Sequence, residues 1–268
     1  MFFYLFYFLT FLCLIYGFCV ENHRMMFISL LTIFLFLLCL FIERIFKVRF
    51  PFLLRFFIFF FIFLAEIFGE VFNFYSTVSF WDNFLHFLSG IITSCFGFSL
   101  VYVFFERCVN VKNLFLISFL FIFCFSISIG VFWEFTEFGF DKYFGFDMQK
   151  DTYVDSFNTM SLDNDDVVVS RISGIDRTLI YVRGSVVVLD DGYLDIGLID
   201  TMEDLFMNVM SAFVVSLCAS FYIANRNCFS FMELFRVSRD WCSFFVLVCI
   251  FFDIFAPFLV FFIIYFRW

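Results

Sequence analysis

Histidine is scarce in this sequence. His23 and His86 are the only two among 268 residues, and a histidine-rich metal centre is excluded by counting alone. Charge is scarce too: Asp, Glu, Lys and Arg make up 15% of the chain, against 64% hydrophobic residues. The ten cysteines include no CxxC pair and none lies between 141 and 203, so neither a zinc ribbon nor a disulfide framework is indicated there. No basic-aromatic patch exists and the loops are short, which argues against a nucleic-acid partner. The apolar run Met1–Val20 has no Lys or Arg before it and no small-residue cleavage motif after it. It reads as a first membrane helix and not as a removed leader.

What is present in excess is apolar length. The chain holds 56 Phe and has a mean hydropathy of +1.03, which places it among multi-span membrane proteins and implies contact with lipid. Seven runs are long enough to span: 2–20, 25–43, 52–74, 82–105, 113–138, 204–224 and 241–266. Nine of the 16 basic residues fall in or beside three connections, at Arg44, Lys47, Arg49 and Arg55, at Arg107 and Lys112, and at Arg226, Arg236 and Arg239. With those connections cytoplasmic, every loop obeys the positive-inside rule. The N-terminus is then cytoplasmic, and residues 141–203 and the C-terminus are outside. Trp81, Trp133, Trp241 and Trp268 fall where an aromatic belt is expected.

The expected fold is therefore an all-α integral membrane protein of about seven transmembrane helices, with a small β-rich extracytoplasmic insert between helices five and six. It divides into an N-terminal two-helix segment (1–50), core helices three to five (51–140), the insert (141–203) and helices six and seven (204–268). Segment 139–203 carries thirteen acidic residues against five basic ones. Val167–Val169, Thr178–Val182 and Ser185–Leu189 are rich in strand-forming residues, and Arg183-Gly184 reads as a tight hairpin turn.

Helical period then brings polar residues to one level. Glu134, Glu137 and Asp141 sit at i, i+3 and i+7 at the end of span five. Glu66 and Glu70 lie one turn apart in the outer half of span three, with Asn73 beyond them. Asp82 and His86 open span four at i, i+4, and Asp200, Asp204 and Asn208 share a face at the start of span six. Carboxylates this close need a cation, a basic partner or shared protons. No Lys or Arg lies at that depth in these spans, so an internal salt bridge is not the ready answer. Oxygen ligands with one imidazole suit Mg²⁺, Mn²⁺ or Ca²⁺, and also Zn²⁺ or Fe²⁺. The ordinary alternatives are helix capping and solvated loop ends for Asp82, Asp141 and Asp200, and a carbonyl-bonded core histidine for His86. Ser126, Ser128, Gly130, Gly90 and Gly97 read as close-packing positions between helices. Asp253, four residues before Pro257, is a candidate either for a polar path or for accepting hydrogen bonds at a helix kink.

The chain resembles the YjdF-type multi-pass membrane-spanning proteins of bacteria, a family with no assigned function. The resemblance rests on Gly69-Glu70 with Asn73-Phe74-Tyr75, on Trp81-Asp82-Asn83-Phe84-Leu85-His86 with Ser89-Gly90, and on Trp133-Glu134-Phe135 with Glu137-Phe138. It continues through Asp147-Met148-Gln149-Lys150-Asp151-Thr152 and Gly192-Tyr193-Leu194-Asp195-Ile196-Gly197-Leu198-Ile199-Asp200-Thr201-Met202 with Asp204-Leu205. It departs at Ser211-Ala212, where Gly-Ala is expected. The resemblance implies a bacterial plasma-membrane protein, includes the β-rich insert in the family, and adds Gln149 as a polar candidate.

The residues support a divalent-cation site of unknown identity. Asp82, His86, Glu134, Glu137 and Asp204 are its ligands, and Glu66, Glu70, Asp141, Gln149 and Asp200 are supporting or alternative groups. An enzyme built on it would carry out metal-assisted hydrolysis or transfer on a lipid or envelope substrate. A proton- or ion-coupled transporter using the same carboxylates is the alternative, although no inverted repeat and no paired Gly or Pro breaks favour it. A non-catalytic membrane scaffold is the third reading.

Overall fold

The computed structural model describes residues 2–45, 49–105, 113–162 and 168–236, with side chains omitted at Phe2 and 103–105. The expected seventh span 241–266, with Trp241, Asp253 and Trp268, lies outside the described residues, as do Lys47, Arg107, Lys112 and Arg239. The chain divides into two compact units, residues 1–133 with 204–268, and residues 134–203.

The first unit is helical. In chain order it holds α1 (Phe2–Cys19), α2 (His23–Ile45), α3 (Phe52–Phe63), the short α4 (Phe74–Thr77), α5 (Trp81–Phe105), most of α6 (Leu114–Phe144) and most of α7 (Leu198–Ala224). Among the described residues, five helical stretches are long and apolar enough to cross a membrane: His23–Ile45, Phe52–Val71, Trp81–Tyr102, Leu114–Phe144 and Leu198–Ala224. The first run forms a shorter apolar helix, Phe3–Cys19. With 31 residues at 1.5 Å each, α6 is about 46 Å long, well beyond a hydrocarbon core of about 30 Å.

Aromatic packing builds the core. Phe36 of α2 and Phe59 of α3 stack with centroids 4.6 Å apart, and Phe6 of α1 packs against both Phe36 and Phe63. Between α2 and α3 the chain is tied by Glu43, which accepts from the Phe50 amide at 2.8 Å and pairs with Arg55 at 2.7 Å. Trp81 is buried in the core against Phe74 and Phe68. After Phe63 the helix widens into a π-helix over Leu64–Val71, the segment that carries Glu66 and Glu70. Asn73, in left-handed conformation (φ 60°), ends it.

Small residues let α5, α6 and α7 close on one another. A Cβ on Gly90 of α5 would stand 2.0 Å from Ser211 Oγ of α7. One on Gly130 of α6 would stand 2.8 Å from the Asn208 side chain, and one on Gly97 would stand 3.1 Å from Phe125. Ser126 Oγ lies 2.7 Å from Thr93 Oγ1 and donates to Gly90 O. The close-packing reading therefore holds for Gly90, Gly97, Ser126 and Gly130. It fails for Ser128, which is exposed and donates back to Cys124 O, because it lies two positions out of phase with Ser126 and Gly130. Ring contacts Phe115–Phe221 and Phe119–Phe213 make α6 and α7 antiparallel.

The described residues of the second unit, 134–203, form three antiparallel two-stranded ribbons. They pair β1 (Thr152–Val154) with β6 (Tyr193–Asp195), β2 (Ser156–Thr159) with β3 (Ser170–Ser173), and β4 (Thr178–Val182) with β5 (Ser185–Leu189). The hairpin turn is Arg183-Gly184 with φ of 41° and 92°, the double positive φ that a two-residue turn of matching twist demands. Val168 and Val169 precede β3 and are not in a strand. Phe157 and Tyr193 pack with centroids 4.8 Å apart. Helix α6 ends at Phe144, with Gly145 following in left-handed conformation (φ 71°) as a C-terminal cap.

Candidate metal centre

In the first unit, α5 presents Asp82 and His86 one turn apart, and α7 presents Asp204. All three are buried, Asp204 completely. His86 Nε2 lies 3.8 Å from Asp82 Oδ1 and 3.7 Å from Asp204 Oδ2. Both separations exceed a hydrogen bond. They match two ligands that flank one ion, each about 2.1 Å away, at an angle of about 125°. Asn208, the next turn of α7, is 2% exposed, with its amide packed on Gly130.

Glu70 has a basic partner. Arg24, in the first turn of α2, donates to Glu70 Oε2 at 2.6 Å. Arg24 lies outside the spans that carry the carboxylates, and its long guanidinium stem carries its charge away from its own Cα. Glu66, one turn before Glu70 in the π-helix, is buried. His23 opens α2 and is exposed.

In the second unit Glu134 and Glu137 are both buried on one side of α6, in phase with buried Phe140. Asp141 accepts from two backbone amides, Met148 N at 2.7 Å and Gln149 N at 2.9 Å. Asp200 accepts from Lys150 N at 2.9 Å. Gln149 donates through its amide to Thr201 Oγ1, and Asp195 accepts from Ile199 N at 2.9 Å in the first turn of α7. These four side chains hold the segment 147–151 and the start of α7. A Cβ on Gly197 would stand 2.5 Å from Gln149 Cβ, and the backbone there has φ 113°, so only glycine fits. The spacing of Asp141, Gln149 and Asp200 along the chain carries no sign of these backbone bonds.

Asp151, exposed at the edge of the same segment, has its carboxyl raised above the usual range by partial burial, then by the charges of Asp147, Asp141 and Asp195. Buried Asp, Glu and His side chains among the described residues could hold a metal ion.

The sequence matches the family described as predicted membrane protein (DUF2238) over residues 1–225, and the chain belongs to that family. The match agrees with the resemblance read from the sequence. No curated protein and no solved structure matches the chain.

Proposed function

We propose that this membrane protein binds a divalent cation through Asp82, His86 and Asp204. The carrying observation is the arrangement of His86 Nε2 between two buried carboxylates, at 3.8 and 3.7 Å. Three buried groups of that kind are costly in a membrane protein unless they serve a ligand.

A neutral imidazole and two carboxylates fit Mn²⁺, Fe²⁺ or Zn²⁺ better than an all-oxygen site would. Asp141, Gln149 and Asp200 act at one remove, by holding the segment beside the start of α7. Glu70 is occupied by Arg24, and Glu66 is a reserve carboxylate.

On this reading the bound ion acts as a Lewis acid for hydrolysis or transfer on a lipid or envelope substrate, with a carboxylate as base. The basic residues Arg44, Arg49, Arg226 and Arg236 support a cytoplasmic location for the helix ends that carry them. The site and residues 141–203 would then face outward from a bacterial plasma membrane.

The test is metal content by mass spectrometry of the purified protein in detergent, beside His86→Ala and Asp204→Asn. One ion per chain, lost in both folded variants, is the expected result. Purified protein that takes up no Mn²⁺, Fe²⁺ or Zn²⁺ after loading, or variants that keep it, would overturn the reading.

A further inference from the structure

Three helices of the first unit carry rows of small and polar residues at every fourth position. On α6 the buried positions before residue 134 are Ser118, Ile122, Ser126 and Gly130, and the other positions are mostly Phe, Leu and Ile. On α7 the row runs Asp204, Asn208, Ala212, Ser216 and Ser220, and on α5 it runs His86, Gly90 and Ser94. A stripe of this kind is ordinarily a packing seam.

Two observations set this one apart. Most hydroxyls elsewhere in the helices bond back to the carbonyl four residues earlier, as Thr10, Thr32, Ser99 and Ser128 do. Ser94, Ser118, Ser216 and Ser220, all completely buried, make no hydrogen bond among the described residues. Asn208 Oδ1 is likewise without a partner, in a side chain 2% exposed and pressed against Gly130 of the facing row. A buried polar group left unmade costs about 1–3 kcal/mol, so five of them along one seam point to a guest that bonds to them. Water is the guest that hydroxyl and amide groups of this spacing accept.

At the far end the seam meets a polar cluster. Arg226 donates to Tyr222 Oη and lies over the Tyr102 ring at 4.3 Å, and Arg236 donates to Tyr102 Oη at 2.7 Å. In the middle stands Ile122, fully buried, with its Cα 3.4 Å from where a Cβ on Gly97 would be.

We propose that this seam is a proton path through the α5–α6–α7 interface, which water enters transiently, gated at Ile122. A proton passes by hopping: each hydroxyl or water gains an O–H bond on one side as it gives up an O–H bond on the other, with no net change in the chain. Ile122 interrupts the water by dewetting, as apolar constrictions do in channels. The proposal rests on Asn208 and the four serines, none of which is a proposed ligand of the cation.

The test is proton flux into proteoliposomes that hold the full chain. A potassium diffusion potential drives the flux, a trapped pH dye reads it, and a chelator is present so that metal binding is not involved. The expected result is flux above protein-free vesicles, raised several-fold by Ile122→Ala and lowered several-fold by Asn208→Leu and by Ser216→Ala. Ser128→Ala, on the exposed face of α6, leaves it unchanged. If Asn208→Leu does not fold, Ser216→Ala decides. No flux in either the unmodified protein or Ile122→Ala, or flux indifferent to Ser216→Ala, would overturn the proposal.

Discussion

Gly90 and Ser211 share one small space between α5 and α7. A Cβ on Gly90 would stand 2.0 Å from Ser211 Oγ and 3.0 Å from Asn208 O, so the two helices approach as closely as their backbones permit. Ser211 turns its hydroxyl to Asn208 O at 2.9 Å and so stays satisfied in this gap. Overfilling a packed site costs about 1–3 kcal/mol. Gly90→Ala is expected to lower the thermal midpoint of the protein in detergent, and the double variant Gly90→Ala, Ser211→Gly to recover most of the loss. A double variant no more stable than the single one would mean that the backbone contact with Asn208, and not the hydroxyl, sets the limit.

The pH response of the insert follows from Asp151. Burial first, then Asp147, Asp141 and Asp195, raises its carboxyl above the usual value. A carboxyl whose folded pKa is raised favours folding below its unfolded pKa, and that contribution is lost as pH rises through the folded value. Acidification from neutral pH through the carboxylate range therefore strengthens this segment on account of Asp151. The group is exposed, so the effect is small, a few tenths of a kcal/mol after solvent screening. Asp151→Asn is expected to slow hydrogen exchange of the β1–β6 amides at neutral pH and to flatten its pH dependence, after correction for intrinsic rates. Faster exchange in that variant would show that the negative charge is used.

Much of the helical layout is legible in the sequence because apolar length is a direct consequence of the bilayer. The runs at 25–43, 52–74 and 82–105 fall on α2, on α3 with its π-helical extension, and on α5. Ribbon β4–β5 is legible for a different reason: two five-residue β-branched runs meet at Arg183-Gly184, and the turn is local. Ribbon β1–β6 is not, since three residues on each side pair across about forty residues of chain and neither side alternates. The i, i+4 spacing of Asp82 and His86 brought those two together. The arrival of Asp204 at His86 is a product of helix packing that no spacing encodes. Arg24 was hidden because counting charges by loop ignores the reach of a side chain, and the π-helix at Leu64–Val71 has no sequence signal at all.

Two glycines of the second unit separate backbone strain from steric clash. Gly145 has φ 71° and open space around it, whereas Gly192 has φ 120° and would place a Cβ 2.6 Å from Val154 O. Gly145→Ala meets only the conformational penalty of a left-handed residue, about 1 kcal/mol. Gly192→Ala meets a less accessible φ and a carbonyl of the paired strand β1, which cannot move without breaking the β1–β6 ladder. The expected order is a small rise in amide exchange near 145 for the first variant, and loss of protection across Thr152–Val154 and Tyr193–Asp195 for the second. Asn in place of Gly145 should recover part of the loss, because its side chain tolerates the left-handed region, and Asn in place of Gly192 should recover none. Equal losses at the two sites would mean that φ, and not the Val154 carbonyl, governs both.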